Sequence, residues 1–295
     1  MKNQNFGIEI ELTGISRETA ADTIAKYFGT TARYVGGAYK TWEITDTRDG
    51  FGKVWKVVRD SSISPSGTRS NDADEYRVEI VSPILGYSEI EKLQEIVREI
   101  RRAGGKVNDS CGIHVHVGAE NHTANSLRNM MTMMYAREDI IFKALQVESF
   151  RQYSYCKKTS LTTLENARKT KNLTMDSLRD IWYEQKDSWH CANNHYHNSR
   201  YHALNLHATF SKGTVEFRMF NSTLHAGEVK AYINLALAMS DACVKAKSIV
   251  MKKTDEAETK IFGEWLKRIG LAGEEFKNTR GHLLKHLSAG NTATA

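Results

Sequence analysis

FGIEIE, residues 6–11, is the stretch whose reading decides the fold. Successive side chains of a strand point to opposite faces, so Ile8, Ile10 and Leu12 share one face while Glu9 and Glu11 share the other. Alone, such a segment reads as a surface strand with a solvated acidic face. The same alternation recurs along the chain. In CGIHVHVG (111–118), Cys111, Ile113, Val115 and Val117 oppose His114 and His116. In RVEIVSP (77–83), Val78 and Ile80 oppose Glu79, and in TVEFRMF (214–220), Val215, Phe217 and Met219 oppose Glu216 and Arg218. In HALNLHA (202–208), Leu204 and Leu206 oppose Asn205 and His207, and Asp60 ends KVVRD (56–60).

Five or six strands therefore share one design, with aliphatic residues on one side and Glu, His, Arg, Asn and Asp on the other. A solvated sheet face usually carries Lys, Thr, Ser and Glu, and has little reason to prefer histidine or to set isolated arginines among carboxylates. Carboxylate oxygen and neutral imidazole nitrogen are ligands for divalent metal, and a carboxylate-dominated set suits Mg²⁺ or Mn²⁺ better than zinc. Arginine beside such a set binds phosphate through its planar fork. The polar face is thus expected to be a metal and phosphate site.

Helical patterns separate these strands. Residues 16–28 open at Ser16, and 88–103 open with SEIE, expected as a capping box of Ser88 and Glu91, and close at Gly104-Gly105. Between them, 53–63 and 76–85 read as strands flanking a polar loop. A long helix is expected over about 125–148, with Leu127, Met130, Met131 and Met134 in the core. Residues 151–200 are poor in aliphatics and read as an insertion or lid with one helix near 174–185. The segments 201–210 and 213–223 are expected to return as a hairpin around Lys212-Gly213. The last 70 residues read as one long helix over 225–250 followed by two shorter ones, with 241–295 a C-terminal helical extension. The fold class expected is α+β, one catalytic domain spanning 1–295.

The chain has 295 residues, 41 of them basic and 35 acidic, for a net charge of +6. That modest excess is compatible with a phosphorylated ligand, and with no RNA-binding or helix-turn-helix signature it does not argue for nucleic acid as the main partner. The polar MKNQN start and the lack of a long apolar run predict a cytoplasmic protein without a membrane span. Four cysteines without CxxC spacing predict reduced thiols. Cys111 lies on the aliphatic face, where a thiol is inert, so it is not expected to act as a nucleophile. HCANNHYHNSRYH (190–202) matches no zinc spacing and reads better as part of a lid over nucleotide or substrate. No GxxxxGK[ST] loop occurs, so any use of ATP must be of another kind.

Four segments in order, F-G-I-E-I-E, E-I-V-S-P-I-L (79–85), C-G-I-H-V-H-V and the stretch from Arg200 through A-L-N to T-V-E-F-R (214–218), carry a family resemblance. Over about residues 5–240 the chain resembles the amidoligases, in the carboxylate-amine ligase superfamily of glutamine synthetase and glutamate-cysteine ligase. The resemblance implies a curved antiparallel sheet whose concave face holds ATP and two or more Mg²⁺ ions, with helices packed behind. It implies metal-binding roles for Glu9, Glu11, Glu79, His116 and Glu216. His114, His116, Asn205 and Arg218 would meet the nucleotide, Arg218 and Arg200 the transferring phosphate, and Asp60 the amine or another substrate group. The expected reaction joins a carboxylate and an amine, from small molecules or peptides, through an acyl phosphate. Two other readings stay open: a metal-dependent hydrolase or phosphoesterase using His-x-His and the carboxylates, and a non-catalytic binding module on the ligase scaffold. No segment marks an oligomer interface, and the substrates are not named by the sequence.

Overall fold

The computed structural model describes residues 1–48, 50–65, 73–250 and 258–288. The chain forms two compact units. One comprises Lys2–Val115 and Phe220–Lys230; the other comprises His116–Met219 and Ala231–Ala295, with Met1.

The first unit alternates strand and helix: β1 (Phe6–Leu12), α1 (Arg17–Phe28), β2 (Arg33–Gly36), β3 (Thr41–Thr45), β4 (Val54–Val58), β5 (Val78–Val81), α2 (Ile90–Arg102) and the first residues of β6 (Gly112–Gly118). Its strands lie in the order β2-β3-β4-β5-β1-β6. β1 pairs antiparallel with β5, β5 with β4, β4 with β3 and β3 with β2. Period-two alternation explains the two faces. Ile8, Ile10, Leu12, Ile44, Trp55, Val57, Val78 and Ile80 are buried, and α1 packs on β3, β4 and β5 beside α2. Each buried Ile or Leu contributes roughly 1.5–3 kcal/mol relative to exposure, so the aliphatic face holds the helices in place.

Local signals set the helix ends. The Ser16 hydroxyl accepts the Thr19 N–H and caps α1. At the end of α2, Gly104 adopts a φ of 98° and lets the Gly105 N–H reach the Ile100 carbonyl. The expected Ser88–Glu91 box does not form. A 3₁₀ turn over Tyr87–Glu89 precedes α2, and Glu89 Oε2 accepts the Gly86 N–H at 2.8 Å. The reaching carboxylate thus sits two residues earlier than expected.

The second unit contains the rest of β6, then α3 (Ala124–Leu145), α4 (Ser149–Ser154), α5 (Leu161–Lys169), α6 (Met175–Tyr183), β7 (Leu204–Asn205), α7 (His207–Lys212) and most of β8 (Thr214–Asn221). It also holds most of α8 (Ala226–Lys245), then α9 (Glu258–Leu266) and α10 (Lys277–Ser288). The strand order here is β6-β8-β7. Leu127, Met130, Met131 and Met134 are fully buried, so the methionines of α3 are packing. The expected hairpin over 201–223 is half present. β7 pairs with β8, Leu204 opposite Phe217 and Asn205 opposite Glu216, but the connection is the short helix α7. Gly213, at a φ of 73°, closes that helix by donating its N–H to the Ala208 carbonyl. Residues 151–200 carry more helix than expected, since α4, α5 and two 3₁₀ turns accompany α6.

All four cysteines are buried and outside any disulfide, and Cys111 lies at the apolar edge of β6 as parity required. Among the described residues no helix is long and apolar enough to cross a membrane. One carboxylate is sealed in the second unit: Glu138 on α3, 2% exposed, accepts the Thr159 N–H at 2.9 Å and its hydroxyl at 2.8 Å. Burial outweighs these bonds and pushes its pKa up to about 7. From pH 4.5 to about 7 the unfolded chain loses this proton while the folded chain keeps it, so stability falls as pH rises. The total is about 3 kcal/mol at 1.36 kcal/mol per pKa unit. Calorimetry of wild type and Glu138→Gln should therefore show the wild-type Tm dropping relative to the variant across that window; a constant difference would refute a raised pKa.

Candidate active site

The polar face of the first unit is built by register. Glu11 on β1 stands directly opposite Glu79 on β5, and Glu9 opposite Val81. Alternation puts Glu9, Glu11 and Glu79 on the face away from α1. Glu11 is 3% exposed; its Oε2 accepts the Gly112 N–H at 2.6 Å and its backbone carbonyl accepts the Ser222 hydroxyl at 2.5 Å. His114 on β6 is also buried and stands between two carboxylates. Its Nδ1 is 2.9 Å from Glu9 Oε2 and its Nε2 is 3.6 Å from Glu11 Oε1. Asp60 follows β4, where its Oδ1 accepts the Ser62 N–H at 2.6 Å.

These five residues form two overlapping donor sets. One ligand atom each from Glu11, Asp60 and Glu79 lie within 4.8 Å of one another, and so do atoms of Glu9, Glu79 and His114. Two carboxylate charges about 5 Å apart repel by roughly 3 kcal/mol at an effective dielectric of about 20. A hard divalent cation reverses the sign of that interaction, and a set of four carboxylates and one imidazole fits Mg²⁺ or Mn²⁺.

The second unit holds the other predicted residues. Glu216 on β8 is 3% exposed and accepts Asn205 Nδ2 at 2.6 Å across the β7–β8 pairing. Its other oxygen accepts Nη1 of Arg218, two residues along the same strand face. Arg218 Nε also reaches the Tyr155 carbonyl at 3.4 Å. His116 Nδ1 is 2.9 Å from the Thr214 hydroxyl, and its Nε2 is 3.8 Å from Glu216. Arg200 precedes β7; its guanidinium donates to the His195 carbonyl at 2.9 Å and lies over the rings of Tyr196 and Tyr201. Arg200, Asn205 and Glu216 all line one cavity of about 270 Å³, together with His195, His207 and Lys212.

One residue that sequence reasoning left without a role, His207, lines this cavity, and a second, Tyr183, bonds to it. His207 is 5% exposed, and the Tyr183 hydroxyl lies 2.7 Å from its Nδ1. Burial first, then the charges of His197 and Arg200, lower the His207 pKa to about 4, so the ring is neutral at pH 7. His207 shared the polar parity of Asn205, which was a signal; Tyr183 lies 24 residues away on α6, with none. The 190–202 stretch supplies Cys191 and His190 in contact at 3.6 Å. Among the described residues, no three ligand atoms from it come within 4.8 Å of one another, so it shows no zinc cluster.

Residues 2–240 match the family model described as "Putative amidoligase enzyme". No curated protein sequence matches the chain.

The donor set of the first unit carries a twofold expectation for Glu79→Gln. Removing one charge relieves repulsion, so in EDTA the variant should melt at or above the wild-type temperature. Adding Mn²⁺ or Mg²⁺ should raise the wild-type Tm and leave that of the variant nearly unchanged. Thermal scans with and without metal check both, and an equal metal-induced rise in the two proteins would remove Glu79 from the metal set.

Proposed function

For a chain that belongs to the amidoligase family, we propose an ATP- and Mg²⁺-dependent ligase that joins a carboxylate to an amine through an acyl phosphate. The observation that carries this reading is the donor set of Glu9, Glu11, Glu79, Asp60 and His114, four carboxylates and a histidine on one sheet face. Hydrolysis would need no arginine paired to a metal-type carboxylate, whereas Glu216 with Arg218 supplies one. The same reading makes the sheet a curved, glutamine synthetase-like platform. The four free thiols fit a reducing compartment such as the cytoplasm.

A carboxylate is a poor acyl donor because its leaving group would be oxide. Its oxygen therefore attacks the γ-phosphorus of ATP, the bond to the β-phosphate oxygen breaks, and ADP leaves. The amine nitrogen then attacks the carbonyl carbon of the acyl phosphate, inorganic phosphate departs, and the nitrogen gives up a proton to leave the amide. Mg²⁺ held by Glu9, Glu11 and Glu79 in the first unit, and Mg²⁺ held by His116 and Glu216 in the second, would neutralise phosphate charge.

The residues of the chain supply orientation and charge. Arg218, which pairs with Glu216, would steady the phosphoryl group in transit, and Arg200, which lines the cavity, would offer a second cation. Asn205 holds the other oxygen of Glu216, which fixes the carboxylate for metal binding. Asp60, at the edge of the first donor set, is suited to orient an incoming ammonium group and draw off its proton.

ATP turnover with Mg²⁺ tests the reading, scored as ADP, AMP and phosphate across pools of amino acids and peptides. ADP is expected only when donor and amine are both present, and Glu79→Ala should lose at least about a hundredfold of that rate, the scale of one lost transition-state electrostatic contact. AMP release, or near-wild-type turnover by Glu79→Ala, would overturn it.

A further inference from the structure

We propose that His207 is a hydrogen-bond donor, through Nε2–H, to a phosphate oxygen of a ligand seated in the 270 Å³ cavity of the second unit, with Tyr183 as the positioning residue that selects this tautomer. The assignment rests on the proposed ATP use only for naming phosphate as the acceptor.

The charge of the cavity favours an anion. Among the described residues Glu216 is its one acidic lining residue, and its two oxygens are engaged by Arg218 and Asn205. Arg200 and Lys212 also line it. A neutral donor in the same lining adds direction to what charge alone does not orient.

The tautomer follows from the tyrosine. The Tyr183 side chain is buried, and among the described residues its hydroxyl has one partner, His207 Nδ1 at 2.7 Å. If the hydroxyl accepted a proton from Nδ1–H, its own hydrogen would have no acceptor among the described residues. The hydroxyl therefore donates, Nδ1 accepts, and the single proton of the neutral ring sits on Nε2. Nε2 has no partner among the described residues, is not closed off from solvent, and belongs to a residue that lines the cavity. The ring itself is held against rotation by His197, which stacks on it at 5.9 Å with 14° between planes, and by the edge of Tyr183. Donor position and donor identity are thus both set before a ligand arrives, which lowers the cost of binding.

Two measurements test this. Histidine ¹⁵N spectra of the ligand-free protein, with the His207 signals assigned by their loss in His207→Gln, should show an Nε2–H tautomer that becomes a mixture in Tyr183→Phe. Calorimetric binding of inorganic triphosphate with Mg²⁺ should fall about tenfold in His207→Asn, whose amide reaches only the Nδ1 position, and much less in His207→Gln, whose amide reaches Nε2; one hydrogen bond is of this size. Tyr183→Phe should lie between. An Nδ1–H tautomer in the wild type, equal binding by the Asn and Gln variants, or no binding of triphosphate by the wild type would each overturn the proposal. His207-dependent triphosphate binding without ADP release for any donor and amine would sink the ligase reading and leave this one standing.

Discussion

Glu11 and Glu79 face each other across two antiparallel strands, and most of the first unit can be understood as what makes that pairing tolerable. Like charges directly opposite on a sheet are destabilising. Here the aliphatic residues of the same strands hold the register on the opposite face, where Ile10, Ile80, Leu12 and Val78 are buried under helices. A slip of one residue would turn every one of those side chains to solvent. The carboxylates therefore stay where the core puts them.

The second unit handles charge in other ways. Glu216 is buried yet paired on both oxygens, to a guanidinium and an amide. Glu138 is buried with no cation within hydrogen-bond reach among the described residues, and burial raises its pKa even though Thr159 donates to it twice. His207 is kept neutral by burial and by neighbouring positive charge. Three buried ionisable groups thus sit in three different surroundings because their immediate partners differ.

Much of this was legible in the chain. The strands β1, β5, β6 and β8 follow from alternation, α1 from its Ser16 cap, and α2 from its stripe and its terminal glycines. The helix α3 was found with its buried methionines. Misses have physical causes. β2 and β3 are short, with β2 exposed and ending at Gly36, so burial imposes no alternation on them. α7 hides inside an alternating pattern that lasts through Leu206 and then gives way to a turn of helix stopped by Gly213. Over residues 149–169, α4 and α5 are 6 and 9 residues long, too brief for a persuasive period.

By itself the sequence determined which side chains share a strand face, because the two-residue repeat is a property of the extended backbone and needs no partner. It therefore named Glu9, Glu11, Glu79, His114, His116, Glu216 and Arg218 as polar-face residues. Only the tertiary structure decided which of them meet. Strand register set Glu11 against Glu79 and Asn205 against Glu216, and chain packing brought Tyr183 onto His207 and Asp60 beside the glutamates. Distances of a few ångströms between residues tens of positions apart depend on how whole elements pack, and no local pattern encodes them.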